Sequence, residues 1–271
     1  MIELLEYDFI RNAVYIGILA SILCGVLGTF IVVKRLVFIS GGVSHAAFGG
    51  IGAFYYWGLN PLAGGFLVAG ILAIVLGLTN RDKLINQGAL IGVLWALGMA
   101  IGILFIARAP GYTPNLMTYM FGNILAVSVP DLVFAALLDL IVIGIIIVFY
   151  KEFVAISFDE EFAFIQGVPV RILMVIFMLL VSISIVLLIR LVGVILVIAL
   201  LTIPPMISLM LVKRFLMVIL LSMLVGMIMT IGGLCFSYLL DLPSGPVIIT
   251  VGAAVLGLSY ISKIILMKLN T

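Results

Sequence analysis

His45 is the only histidine among 271 residues, and it stands in RLVFISGGVSHAAFGG (35–50), where the other side chains are mostly apolar or very small. A neutral imidazole can ligate zinc and several neighbouring transition metals, and it can carry a proton. Gly42, His45, Gly49, Gly52 and Tyr56 fall at i, i+3, i+7, i+10 and i+14, one face of a helix, so the glycines are expected to leave a groove around the ring. The same glycines suit a close helix contact, because a residue without a side chain lets two backbones approach. Spacing alone leaves two readings: a metal pathway past His45, with Gly42, Gly49 and Gly52 as its small-residue face, or a packed histidine.

Asp139 is the other ionisable residue deep inside an apolar run. A charge at the bilayer centre costs about 2.5–3.5 kcal/mol on insertion scales, so Asp139 is expected to face protein or water, as a second pathway group or a structural one. Ser40 and Ser44 stand beside His45, but a serine nucleophile and its base converge from different elements, and no G-x-S-x-G elbow frames either serine. A membrane serine protease is therefore disfavoured. Cys24 and Cys235 match no metal-ligand spacing and are expected to be buried and inert. No Gly-Lys pair occurs, so the G-x-x-x-x-G-K-[ST] phosphate loop is absent and any ATP hydrolysis belongs to another subunit. None of these residues predicts an enzyme, a nucleic-acid partner or a permanently bound cofactor.

The elements that must position these residues follow from composition. With 66% hydrophobic and 9% charged residues, and a mean hydropathy of +1.51, the chain cannot coat a water-soluble globule. It is expected to be an all-α integral membrane protein, one transmembrane domain over 1–271. Apolar runs long enough to span lie at about 12–33, 38–57, 62–79, 87–107, 130–150, 171–190, 193–212, 215–240 and 246–262, nine in all. The acidic start, MIELLEYDFIRN, lacks the basic region of a signal peptide and is read as uncleaved. Alternating the crossings puts ten Lys and Arg residues on one side, with Arg11, Arg108 and Arg190 opposite. That asymmetry places the amino terminus outside and the carboxyl terminus inside. Trp57 falls where an interfacial anchor belongs. Pro204 and Pro205 interrupt the seventh run and predict a kink or a broken helix.

Two breaks exceed a turn. Outside, 108–129 holds RAPGYTPN and then LMTYMFGNILAV, too short to span and suited to lying on the membrane or re-entering it. Inside, about 151–170, Ser157 and Glu160 form an S-x-x-E capping box, and Asp159, Glu160 and Glu161 sit at the favoured end of the helix dipole. Gly167 and Pro169 stop the helix. Phe158, Phe162 and Ile165 follow at i, i+4 and i+7, a stripe that either packs on the ends of the spans or docks a cytoplasmic partner. An ion-coupled secondary transporter would normally show more than one buried carboxylate and paired discontinuous helices. The repeated RLV at Arg35 and Arg190 is the one trace of an inverted repeat.

Taken in order, RLVFISGGVSHAAFGGIGAF, FGNILAVSVPDL, EFVAISFDEEFAFIQGVPVRIL, VGVILVIALLTIPP and SYLLDLPSGPVIIT cover nearly the whole chain. They resemble the transmembrane permease subunits of ABC importers for zinc, manganese and iron. The resemblance implies a multi-pass cell-membrane protein in two copies, with two cytoplasmic ATPase subunits carrying ATP and an extracytoplasmic metal-binding protein delivering a divalent ion, free or as a complex. It also implies that Phe158, Asp159, Glu160, Phe162, Ile165 and Gly167 form the ATPase coupling segment. Many members carry an acidic residue four positions before the histidine, where this chain has Gly41.

Overall fold

The computed structural model describes residues 7–79, 86–109 and 122–269, with side chains as far as 265. Eleven α-helices occur among them: α1 (Asp8–Val33), α2 (Phe38–Tyr56), α3 (Pro61–Thr79), α4 (Gln87–Arg108), α5 (Val129–Val148), α6 (Tyr150–Phe158), α7 (Glu160–Ile165), α8 (Val170–Val192), α9 (Val194–Leu211), α10 (Phe215–Leu240) and α11 (Ser244–Leu269). A 3-10 turn covers Ile124–Ala126, and the described residues contain no strand. Among the described residues, eight of these helices are long and apolar enough to cross a membrane. The run at 38–57 does form a helix, α2, of 19 residues. It falls outside the eight because its glycines, serines and histidine lower its hydropathy, not because it is short.

The chain forms two compact units of interleaved segments. The first contains 7–35, 122–145 and 191–269, hence α1, most of α5, and α9 to α11. Here α1 packs on α9 and α10. A Cβ on Gly17 would lie 2.6 Å from the Thr230 methyl, and one on Gly25 would lie 2.7 Å from the Met223 backbone nitrogen. Between these contacts the Ser21 and Thr230 hydroxyls meet at 3.1 Å, and one turn beyond Gly25 the Thr29 hydroxyl donates to Ser222 at 3.3 Å. Hydrocarbon drives no helix association by itself, so small residues and hydroxyl pairs of this kind hold α1 in place.

Pro204 and Pro205 neither break nor end α9, which is helical from 194 to 211. They still remove two backbone donors, leaving the Leu200 and Leu201 carbonyls without their i+4 partners. The Leu201 carbonyl abuts Gly28 of α1, where a Cβ would come within 3.0 Å of the carbonyl carbon. The described part of the break before α5 also folds onto this unit. Gly122, at φ +65°, lies against the Val192–Gly193 backbone, and the Asn12 amide donates to the Val127 carbonyl at 3.1 Å. RAPGYTPN and LMTYM fall almost wholly outside the described residues. Cys24 is buried as expected. Cys235 is not: it lines a cavity of about 320 Å³ between the first turns of α1 and the last turns of α10.

The second unit contains 36–79, 86–109 and 146–190. In it α2 packs against both α3 and α4. Asn86 caps α4 by accepting from Ala89 N at 3.1 Å, and the Gln87 amide reaches the Leu76 carbonyl at the end of α3. Phe153 of α6 packs on Phe177 of α8 with ring centroids 5.9 Å apart.

Candidate functional site

The face of α2 that carries Gly42, Gly49 and Gly52 is covered, not open. Cβ atoms placed on Gly49 and Gly52 would lie 3.0 Å and 2.6 Å from the carbonyl oxygens of Gly98 and Gly102 on α4. Gly98 in turn abuts Ala46, and Gly42 abuts Ile91. Two glycine stripes therefore meet backbone to backbone, and the expected groove is filled by α4. Of the two uses of small residues, close packing is the one realised.

His45 lies on this seam but is only partly buried. Its ring stacks on the Trp95 indole of α4, centroids 4.5 Å apart and planes 14° from parallel. The same indole covers Gly41, where a Cβ would fall 2.5 Å from the ring. Ser40 and Ser44 take no part: their hydroxyls donate to the Val37 and Ser40 carbonyls within the helix, at 2.7 Å and 2.5 Å. Trp95 is the site residue that sequence reasoning missed. One signal was present, since a tryptophan nine residues into an apolar run sits away from the membrane surface, where tryptophans concentrate.

Asp139 belongs to the other unit, on α5. It is 5% exposed, and its Oδ2 has no hydrogen-bond partner among the described residues. It faces protein rather than the surface. Among the described residues no three of His, Cys, Asp and Glu gather into a cage for an ion.

The segment 151–170 differs from the single capped helix expected. It forms two short helices, α6 and α7, separated at Asp159, whose backbone is extended (φ −152°, ψ 103°). No S-x-x-E box forms. The Ser157 hydroxyl donates back to the Phe153 carbonyl within α6, so the cap passes to Asp159, whose Oδ1 accepts from Phe162 N at 2.9 Å. Glu160 and Glu161 lie in the first turn of α7. Gly167, at φ +81°, ends it: Gly167 N bonds to Phe164 O, and Val168 N to Ala163 O. This is the glycine-dependent paired closure of a helix end. Phe158 now ends α6 while Phe162 and Ile165 lie on α7, so the stripe is divided between two helices. All three are exposed, by 67%, 56% and 82%, as is Phe164. Ala163, fully buried, holds α7 down. Beside it, Phe164, Leu78, Thr79 and Pro169–Ile172 line a cleft of about 850 Å³.

The model of the ABC 3 transport family matches residues 6–263. An uncharacterized membrane protein of Synechocystis sp. is 42% identical over 253 residues, 93% of this chain and 90% of that one. The manganese transport system membrane protein MntC of Halalkalibacterium halodurans is 31% identical over 258 residues, 95% and 88% of the two chains. Among solved structures, PsaBC from Streptococcus pneumoniae in complex with Fab superimposes with a TM-score of 0.83 at 27% identity, covering 96% of this chain and 94% of that one.

Proposed function

Because the chain belongs to the ABC 3 transport family, we propose that it is the permease subunit of an ATP-driven importer that carries a divalent transition-metal ion, zinc, manganese or iron, into the cytoplasm. The chain works as one permease domain with nine crossings, α2 being the ninth, its amino terminus outside and its carboxyl terminus inside. It hydrolyses nothing itself. A cytoplasmic ATPase docks on the coupling segment, a second copy of the chain completes the pathway, and an extracytoplasmic metal-binding protein delivers the ion. His45 is a transient ligand on the route, with Asp139 a second charge bearing on it.

The observation that carries this reading is the α6–α7 corner. Phe158, Phe162, Phe164 and Ile165 are each more than half exposed around a helix whose two ends are firmly capped. Rigidly held apolar side chains outside the spans suit a protein partner. Phe162→Asp would bury an unpaired charge in that contact, costing about 2 kcal/mol or more, the scale of an interface hot spot. Uptake is expected to fall by an order of magnitude or more, with ATP hydrolysis uncoupled from transport, while the permease still inserts. ATPase co-purification and proteoliposome uptake measure this; normal values for both would leave α7 without a docking role. Uptake that needs a proton or sodium gradient and no nucleotide would replace the ATP-driven reading.

The orientation is tested separately. Single cysteines replacing Asn115 and Ser244 are expected to react with a membrane-impermeant thiol reagent added outside intact cells, and one replacing Asp159 only after permeabilisation. Labelling of all three from the same side would end the nine-crossing topology.

A further inference from the structure

An imidazole that binds a metal through one nitrogen ordinarily has the other held by a hydrogen bond, which fixes the plane of the ring. Among the described residues His45 makes no such bond. Its ring is held by the stack on Trp95, at 4.5 Å and 14°. The nitrogen lone pairs lie in the ring plane and point from its edge, whereas stacking occupies a face. Orientation by Trp95 and coordination by His45 are therefore compatible, and the indole face favours a ring that has gained positive charge.

Trp95 also decides which other donors can join. Position 41 lies four residues before His45, one helical turn away on the same side, the place on α2 from which a carboxylate could share an ion with the imidazole. It is glycine, and the indole occupies the space a side chain would need. The hydroxyls of Ser40 and Ser44 give their protons to backbone carbonyls and carry no charge. Around His45, α2 thus offers one nitrogen and no carboxylate. Imidazole nitrogen suits zinc and similar borderline ions, whereas manganese favours carboxylate, carbonyl and water oxygens.

We propose that Trp95 is the positioning and specificity-determining residue of the His45 site, holding the imidazole edge open and keeping oxygen donors away from position 41, so that the chain takes zinc in preference to manganese. The proposal rests on the reading of His45 as a pathway ligand.

The test uses the full chain in liposomes, by itself for fluorescence and assembled with its ATPase for uptake, in a Trp57→Phe background that leaves Trp95 as the chain's one tryptophan. The probes are zinc chloride and manganese chloride, each alone. Zinc is expected to change Trp95 emission saturably, with manganese needing at least tenfold more, and His45→Ala is expected to abolish the response. Trp95→Leu should raise the KM for zinc uptake at least fivefold, and Trp95→Phe, which keeps an aromatic face, should restore most of that loss. The double variant Gly41→Asp with Trp95→Ala should move the zinc-to-manganese uptake ratio at least tenfold toward manganese. If either Trp95 variant fails to assemble, the fluorescence titration of the Trp57→Phe chain still decides, since equal responses to both ions overturn the preference. An unchanged zinc KM in Trp95→Leu and an unchanged ion ratio in the double variant, with uptake lost in His45→Ala, would overturn the role of Trp95 and leave His45 standing. Wild-type uptake by His45→Ala would overturn the reading of His45 itself.

Discussion

His45→Ala is expected to lower metal uptake at least tenfold across a zinc, manganese and iron panel while leaving insertion and ATPase assembly intact. The two halves of this result have separate physical grounds. Assembly survives because α2 and α4 are joined by backbone contacts at Gly49, Gly52, Gly98 and Gly102, none of which involves the imidazole. Uptake falls because a conducting site must bind an ion firmly enough to admit it yet release it, and one nitrogen donor among small neighbours meets both demands where a four-ligand cage would retain the metal. Proteoliposome uptake of each ion, with co-purification of the ATPase as the assembly control, separates the two. Wild-type transport of every metal would make His45 a residue that packs on Trp95 and nothing more. Asp139→Asn is the companion measurement: a comparable loss would join it to the pathway, and full uptake would make it a structural group of α5.

Gly28→Ala is expected to destabilise the protein by about 1–3 kcal/mol, the usual cost of forcing an extra carbon into a packed interior. What would have to yield here is backbone. Pro205 has no N–H to give the Leu201 carbonyl, and the oxygen of that carbonyl lies against Gly28, in the space a Cβ there would take. A flexible side chain could rotate away from a new methyl; a carbonyl inside a helix can move only with the helix. Gly144→Ala, where a Cβ would meet nothing within 4 Å, is the matched control. It should be neutral or stabilising by up to about 1 kcal/mol, since alanine is the better helix former. A thermal-unfolding midpoint in detergent that drops for Gly28→Ala but not Gly144→Ala confirms the contact. Equal midpoints would mean that α1 and α9 can separate without cost.

Much of the helical layout was legible in the sequence because bilayer thickness imposes a length on every apolar run. The runs read at 87–107 and 215–240 became α4 and α10 with shifts of no more than one residue. The ends were less legible where the apolar pattern runs past the helix: 130–150 stops at Val148, and Tyr150 begins a new helix. The capping residue of α7 was misread for a specific reason. Ser157 and Asp159 are both good caps, and sequence could not show that the Ser157 hydroxyl was already spent on Phe153. The site was half legible. A lone histidine in an apolar run is visible by itself, but its partner is chosen by how α2 and α4 pack, and nothing in the spacing of residues 42–56 points to residue 95. The glycine stripe was equally consistent with a groove or a seam until the facing glycines on α4 were in place.

The seam constrains how such a site can diverge. A contact made of backbone has no side chains to adjust by small steps, so most single changes at Gly49, Gly52, Gly98 or Gly102 meet a facing main chain and are blocked. Variation is channelled into residues 41, 45 and 95, and there the order of change matters. Enlarging residue 41 while Trp95 is present drives the new atoms into the indole, whereas shrinking Trp95 first leaves a pocket into which residue 41 can later grow. The two substitutions are epistatic with a fixed sequence: a lineage gaining a carboxylate beside His45 passes through a form with a loosely held imidazole, and one losing it can be sealed afterwards by a large ring at position 95.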